Sequence, residues 1–174
     1  MNRRIALHLL LAALAALPGL PALAAGTATA NVTVTYDHPE NFAEAIKERS
    51  LTPGSASDAY LQTLRTYMEQ HAARILPPGD RLDIVVTNVD LAGSFEPWLG
   101  PQMQDVRIIK NIYPPRIDLR FRLLGPDGRV LRAGTRKLRD PGFLDSGIFS
   151  PTDGPLVYEK RLIDNWLRKG PDKL

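Results

Sequence analysis

Apolar residues recur along this chain with two periods, and each period predicts a different element. Between Asn31 and Tyr36, Val32, Val34 and Tyr36 alternate with Thr33 and Thr35, the two-residue period of a half-buried, β-branched strand. Asn41 to Arg49 has room for a short helix with Phe42, Ala45 and Ile46 on one face. A stronger helical signal follows a Ser/Gly/Pro-rich loop over Ser50–Ser57. Ser55-x-x-Asp58 reads as a capping box, and Leu61, Leu64, Met68, Ala72 and Ile75 then fall on one stripe, with Arg65, Glu69, Gln70 and Arg74 opposite. Pro77-Pro78-Gly79 stops that helix. Arg81 to Val89 is a strand whose run Ile84-Val85-Val86 is apolar on both faces, as a central position requires. Asp90 to Gln104 is irregular, and Val106 to Ile109 is a short strand.

Arg116 to Arg139 is the clearest supersecondary unit. Ile117, Leu119, Phe121 and Leu123 alternate with Arg116, Asp118, Arg120 and Arg122, and Gly125-Pro126-Asp127-Gly128 precedes Val130 to Leu138. Pro126 presets a type I turn and Gly128 accepts a left-handed conformation, so a three-residue hairpin loop is expected. That loop pairs Leu124 with Val130. An unbroken ladder then sets Leu123 opposite Leu131 and Phe121 opposite Ala133 on the buried face, with Arg122 opposite Arg132 and Asp118 opposite Arg136 on the wet face. After a loop over Asp140–Pro151, Pro155 opens a last helix with Tyr158, Leu162, Ile163 and Trp166 on its apolar side, and Gly170-Pro171 ends it. Two amphipathic helices and a hairpin with one wet face predict an α+β two-layer sandwich. Its sheet is mostly antiparallel with four to five strands, both main helices pack on one face, and the arginines line the other.

The N-terminus changes where this domain is expected to work. Asn2-Arg3-Arg4, an apolar run from Ile5 to Leu17, a break at Pro18–Pro21 and Ala22-Leu23-Ala24 have the layout of a secretory signal peptide. Residues 1–24 are therefore expected to be cleaved, with Ala28-Thr29-Ala30 as a second possible cleavage site, leaving residues 25–174 as a single periplasmic or secreted domain. The apolar run is shorter than the roughly 20 residues of a spanning helix, so no span is expected after cleavage; the competing reading is an uncleaved N-terminal anchor. Arg3-Arg4 raises twin-arginine export, but Ile5-Ala6-Leu7 fits that pattern poorly. There is no cysteine, which removes disulfides, lipid attachment at a lipobox and thiolate metal sites together.

Charge sharpens the surface. The chain holds 22 Lys+Arg against 19 Asp+Glu, and losing Arg3 and Arg4 leaves 20 against 19. A net +1 gives no global argument for nucleic acid. The distribution is uneven: residues 25–106 hold five basic and eleven acidic side chains, whereas residues 107–139 hold ten basic and two acidic.

Chemistry is sparse. His38 reads as a turn residue and His71 as a helix-flank residue, neither paired with a nucleophile. Asp90, Glu96 and Asp105, with Asp83 upstream, suggest a carboxylate-dependent hydrolase over the 90–105 region, but they match no calcium-loop spacing and no zinc motif. No catalytic residue, metal ligand or cofactor is assigned. The leading site candidate is the basic hairpin, Arg116, Arg120, Arg122, Arg132 and Arg136, because clustered guanidiniums favour carboxylate and phosphate partners. The bland alternative is a solvated, aggregation-resistant face partly paired with the acidic first half. The second candidate is the loop Phe95–Pro101, where Phe95 and Trp98 either contact a partner or, on the favoured reading, tuck into a satellite core. Nucleic acid is not expected, given the export layout and the lack of aromatic stacking residues on the arginine face.

Asp90-Leu91-Ala92-Gly93, Phe95-Glu96-Pro97-Trp98, Asp105-Val106-Arg107-Ile108 and Ile112-Tyr113-Pro114-Pro115-Arg116-Ile117 together resemble a family of small exported Gram-negative bacterial proteins known only as a domain of unknown function. The resemblance extends more weakly to the first strand, Leu138-Arg139-Asp140 and Tyr158-Glu159-Lys160. It implies one exported domain and brings no activity, cofactor or catalytic residue. The expected function is thus a non-enzymatic exported domain that binds an anionic cell-envelope component or a protein partner.

Overall fold

The computed structural model describes residues 31–51, 59–145 and 154–174. The signal peptide, the Ser55–Asp58 capping box and most of the Asp140–Pro151 loop's second half lie outside the described residues. The element order is β1 (Val32–Tyr36), α1 (Ala43–Leu51), α2 (Ala59–Ala73), β2 (Arg81–Asp90), β3 (Ser94–Phe95), β4 (Arg107–Ile108), β5 (Arg116–Leu124), β6 (Val130–Arg139) and α3 (Val157–Leu167). Four strands form one mixed sheet in the order β1-β2-β5-β6, and β3 pairs with β4 in a separate two-stranded ribbon. The α+β sandwich expected from the pattern is the fold observed.

β1 runs parallel to β2, from Val32 opposite Leu82 to Tyr36 opposite Val86, and α1 and α2 supply the crossover that a parallel pair needs. The inner face of the sheet presents Val32, Val34, Leu82, Ile84, Val86, Ile117, Leu119, Phe121 and Leu123. These pack on Leu61, Leu64, Met68 and Ala72 of α2 and Leu162, Ile163, Trp166 and Leu167 of α3. The stripe read for α2 is therefore its buried face, although Ile75 lies past the helix end. β2 is central, as its apolar run requires. α3 begins two residues later than Pro155 suggests, after Leu156 in a left-handed conformation.

α1 departs from its expected pattern. Phe42 and Ala45 are buried, but Ile46 is exposed and Glu44 is fully buried. β1 ends opposite Val86, and α1 packs alongside the remainder of β2, where Asn88 Oδ1 accepts the Ala43 N–H at 2.9 Å and Lys47 pairs with Asp90 at 2.5 Å. It therefore meets polar side chains of β2 rather than a purely apolar layer.

The hairpin loop is the three-residue one. Gly125 N–H donates to Arg129 O at 2.9 Å, and Gly128 has a φ of 78°. Leu124 faces Val130, but the ladder resumes with Leu123 opposite Arg132, so Leu131 is an extra, bulged residue. From there every β6 side chain changes face. Arg136 falls opposite Leu119 and Lys137 opposite Asp118. The expectation that Arg132 and Arg136 share the outer face with Arg116, Arg120 and Arg122 is corrected: both point to the helix side. The burial argument failed for a physical reason. Val130, Leu131, Arg132 and Ala133 are all exposed, so no layer covers the hairpin tip and nothing drives Leu131 inward.

Candidate functional site

Two regions concentrate the charged side chains of the fold: the outer face of the sheet, and an excursion of residues 91–115 that leaves β2 after Asp90 and returns at Arg116. The outer face follows from strand alternation. Arg116, Arg120 and Arg122 of β5 share it with Lys137 and Arg139 of β6 and with Asp83 and Val85 of β2. Asp37, just beyond β1, reaches Arg120 at 2.8 Å. Asp83 reaches Arg122 at 2.9 Å, and Asp118 reaches Arg139 at 2.8 Å. Asp37 and Asp83 of the acidic first half thus neutralise part of the basic hairpin, and Asp118 does so from within it. Arg120 and Arg122 are each tied through one terminal nitrogen, and both remain more than half exposed. A guanidinium has five N–H donors, so each retains capacity for a second anion. Between them lies an open concavity of about 400 Å³, lined by Val85, Arg120, Arg122, Ala133, Thr135 and Asp83 among others. Its lining is mostly apolar, with Arg120, Arg122 and Asp83 as its charged groups.

Arg136 works on the opposite side. Its guanidinium lies 5.0 Å from the Phe121 ring centre and donates to the carbonyl oxygen of the buried Leu174. That pairing pins the end of the chain to the sheet and takes Arg136 out of the outer-face cluster. Arg132 lies on the same side of β6, at the exposed tip.

The excursion is held by three buried carboxylates. Glu44 of α1 accepts the Leu91 N–H at 3.0 Å, and Glu159 of α3 accepts the next amide, that of Ala92, at 2.7 Å. Arg107 of β4 pairs with Glu44 and stacks over Phe95, 4.5 Å from the ring centre. Glu96, nearly inaccessible, accepts from Lys110 at 2.7 and 2.8 Å and from the Tyr113 hydroxyl at 3.0 Å. The Lys110 hydrogen bond is the main reason the Glu96 carboxyl titrates below its ordinary value. Burial pushes the Glu159 carboxyl up, against the Ala92 amide and the Arg107 charge. Gly93 completes the anchor. It donates to Tyr113 O at 2.9 Å and holds a φ of 84°, where a Cβ would stand 2.8 Å from the Ile108 carbonyl oxygen.

This frame corrects the reading of Trp98. Phe95 is half-buried beneath Arg107, but Trp98 is 71% exposed rather than tucked away. Leu99 and Ile112 are also exposed, at 50% and 65%. Glu44, Glu159 and Arg107 escaped sequence reasoning as functional residues. Arg107 and Glu159 do stand inside the motif segments, and that placement was the available signal; Glu44 gave none, because it sits in a helix with an ordinary polar pattern.

The 90–105 carboxylates do not act as a set. Asp90 is paired with Lys47, Glu96 with Lys110 and Tyr113, and Asp105 is exposed in a turn. Among the described residues no group of three or more His, Asp or Glu side chains is placed to hold a metal ion. His38 lies beside Glu40 on the surface. His71 gains a partner from far along the chain: its Nδ1 is 3.0 Å from Asp164, which also accepts from Tyr67 at 2.8 Å, joining α2 to α3. No helix among the described residues is long and apolar enough to cross a membrane.

A family model described as a protein of unknown function, DUF3016, matches residues 30–169. No curated protein matches the chain.

Proposed function

The chain belongs to the DUF3016 family of proteins of unknown function, and we propose that it is an exported, non-catalytic domain binding an anionic cell-envelope component on the outer face of its sheet. The observation that carries this reading is the concavity of about 400 Å³ lined by Val85, Ala133, Arg120 and Arg122, with Asp83 beside Arg122. An apolar lining beside two guanidiniums suits a carboxylate or phosphate group attached to a short apolar body. Arg116 and Lys137 add positive charge along the same face, where Arg139 is paired with Asp118, and such charge speeds encounter with anions. The leader over residues 1–24 supports export. Asp90 and Glu96 are engaged with separate partners and Asp105 is exposed in a turn, which is why a hydrolase is not the reading adopted.

The test is an NMR titration of the mature chain with octyl phosphate and, in parallel, inorganic phosphate. Octyl phosphate is expected to shift the amides of Val85, Ala133 and Thr135, more weakly in 0.5 M salt, while inorganic phosphate binds less tightly because it leaves the apolar lining uncovered. Shifts confined to other regions, or shifts unchanged in Arg120→Glu/Arg122→Glu, overturn the assignment. Export is checked separately by N-terminal sequencing of the protein from the periplasmic fraction, where Ala25 is the expected first residue.

A further inference from the structure

We propose that the cleft between the β6 edge and the end of α3 is a second binding site, one that takes a small phosphate monoester. Neither Arg120 nor Arg122 lines it, so this site and the outer-face concavity stand or fall separately.

The cleft follows from the bulge in β6. With Leu131 displaced, Arg136 and Leu138 turn toward the helices, where Leu162 and Trp166 of α3 stand beside them. Trp166 packs on Phe121, ring centres 5.9 Å apart, and Arg136 lies 5.0 Å from the same Phe121 ring. A concavity of about 240 Å³ remains between strand and helix. Lys137 and Arg139 border it along the sheet edge, and Asn165 and Lys169 border it from the last turn of α3 and the residue pair beyond. That volume suits a small ligand rather than a polymer segment.

Every charged residue that lines the cleft is basic. Existing contacts consume part of that charge. Arg139 is paired with Asp118 at 2.8 Å, and Arg136 donates to the carbonyl oxygens of Thr135 and Leu174. Lys137 stands opposite Asp118 in the ladder, but Arg139 holds that carboxylate. The side chains of Lys137 and Lys169 have no ion-pair or hydrogen-bond partner among the described residues. A surplus of two ammoniums therefore survives the pairing, one on each wall. Lys137 leaves β6 on the outer face, and its flexible four-carbon stem lets the ammonium swing round the edge.

Two further donors meet no acceptor. Asn165 Oδ1 accepts from Arg168 at 2.7 Å, which leaves its Nδ2 as a donor. Trp166 is 3% exposed, and its indole N–H has no hydrogen-bond partner. Nearly every buried donor in a folded protein is paired, so an unpaired one in a side chain that lines a basic cleft calls for a ligand oxygen. The donor set also selects the anion. A carboxylate presents two oxygens and one charge, whereas a phosphate monoester presents three acceptor oxygens and about two charges. Two ammoniums with two neutral N–H donors match the second. Leu138, Leu162 and the indole ring add apolar surface for the short organic body of the ester.

The test is an NMR titration of the mature chain that follows the Trp166 indole N–H, assigned by comparison with Trp98→Phe. Glycerol 3-phosphate, inorganic phosphate and acetate are added separately at about pH 7.5 and 0.15 M salt, where long-range fields are screened. Glycerol 3-phosphate shifts the Trp166 indole N–H and the amides of Leu138 and Asn165 with a saturable profile. Inorganic phosphate binds more weakly because it leaves Leu138 and Leu162 uncovered, and acetate at least about tenfold more weakly than the ester. Lys137→Gln/Lys169→Gln weakens the ester by about tenfold and leaves the urea unfolding midpoint in place, because both side chains are exposed. Arg120→Gln/Arg122→Gln leaves the Trp166 response unchanged. An indole N–H that does not respond, acetate equal to the ester, or binding that survives the double lysine variant overturns the proposal. Loss of the Trp166 response in Arg120→Gln/Arg122→Gln also overturns it, in favour of the outer face alone.

Discussion

Replacing Glu44 by leucine tests the anchor directly. The Glu44 side chain is 0% exposed, accepts the Leu91 N–H at 3.0 Å and pairs with Arg107. Leucine removes the counter-charge from Arg107 and the acceptor from Leu91 at once. Breaking one half of a buried ion pair costs about 3–5 kcal/mol, and a stranded buried amide about 1–3 kcal/mol. The two do not add in full, because one carboxylate serves both. Arg107 keeps partial access to water, with 23% of its side chain exposed, which lowers the penalty for its stranded charge. The expected loss is about 3–4 kcal/mol. For a chain of this size that lowers the melting temperature by roughly 6–15 °C. Urea unfolding followed by far-UV circular dichroism gives the stability, and calorimetry the temperature. The double variant Glu44→Leu/Arg107→Met removes both charges and is expected to be more stable than Glu44→Leu alone. A loss below about 1 kcal/mol, or a double variant that merely sums the two single losses, would refute the claim that this pair holds the excursion.

Two further perturbations probe the same frame. Glu159 has its folded-state pKa raised by burial, so the folded chain holds that proton more tightly than the unfolded chain. Its contribution to stability is present below the ordinary carboxylate range and is lost as pH rises through the folded pKa. Glu159→Gln, which keeps an acceptor for Ala92, is therefore expected to be more stable than the parent at pH 7 and equal to it at pH 3.5; urea titrations showing a loss at pH 7 would contradict this. Gly93→Ala forces a Cβ to within 2.8 Å of the Ile108 carbonyl oxygen at a φ of 84°, and is expected to cost at least about 1–3 kcal/mol. Hydrogen exchange at Ser94, Phe95 and Ile108 should rise in that variant, and unchanged protection would show that the close approach is not needed.

The strands, the long helix and the hairpin loop were legible because each is governed by a local period or a turn residue. Val32 and Val34 inward, Leu64 and Met68 inward, and Gly128 at a positive φ all follow from neighbours within a few positions. The parts that escaped depend on what covers an element. Leu131 obeys the alternation that places it inward, yet no second layer reaches the tip, and a bulge there moved Arg132 and Arg136 to the other face. Ile46 has helical spacing with Phe42, but α1 ends up facing the amide of Leu91, so Glu44 took the interior. Trp98 has the composition of a core residue, in a loop where Phe95 is the aromatic that is covered, by Arg107, and Glu96 is the buried side chain. The pairing of Arg120 with Asp37 and Arg122 with Asp83 joins residues 83 and 39 positions apart, beyond any pattern short of the sheet order itself.

The parallel placement of β1 beside β2 also dictates an order of assembly. Val32 meets Leu82 fifty residues downstream, so the first strand has no sheet to join until both crossover helices and the start of β2 have been made. β5 and β6 close across three residues, and β2 and β5 across an excursion with its own ribbon. The β2-β5-β6 meander can therefore form while the amino end is still unpaired, with the cost of the long loop met last. A chain threaded through a narrow channel amino end first emerges with its least self-sufficient strand in the lead. Its first strand stays unpaired until nearly half the domain has followed.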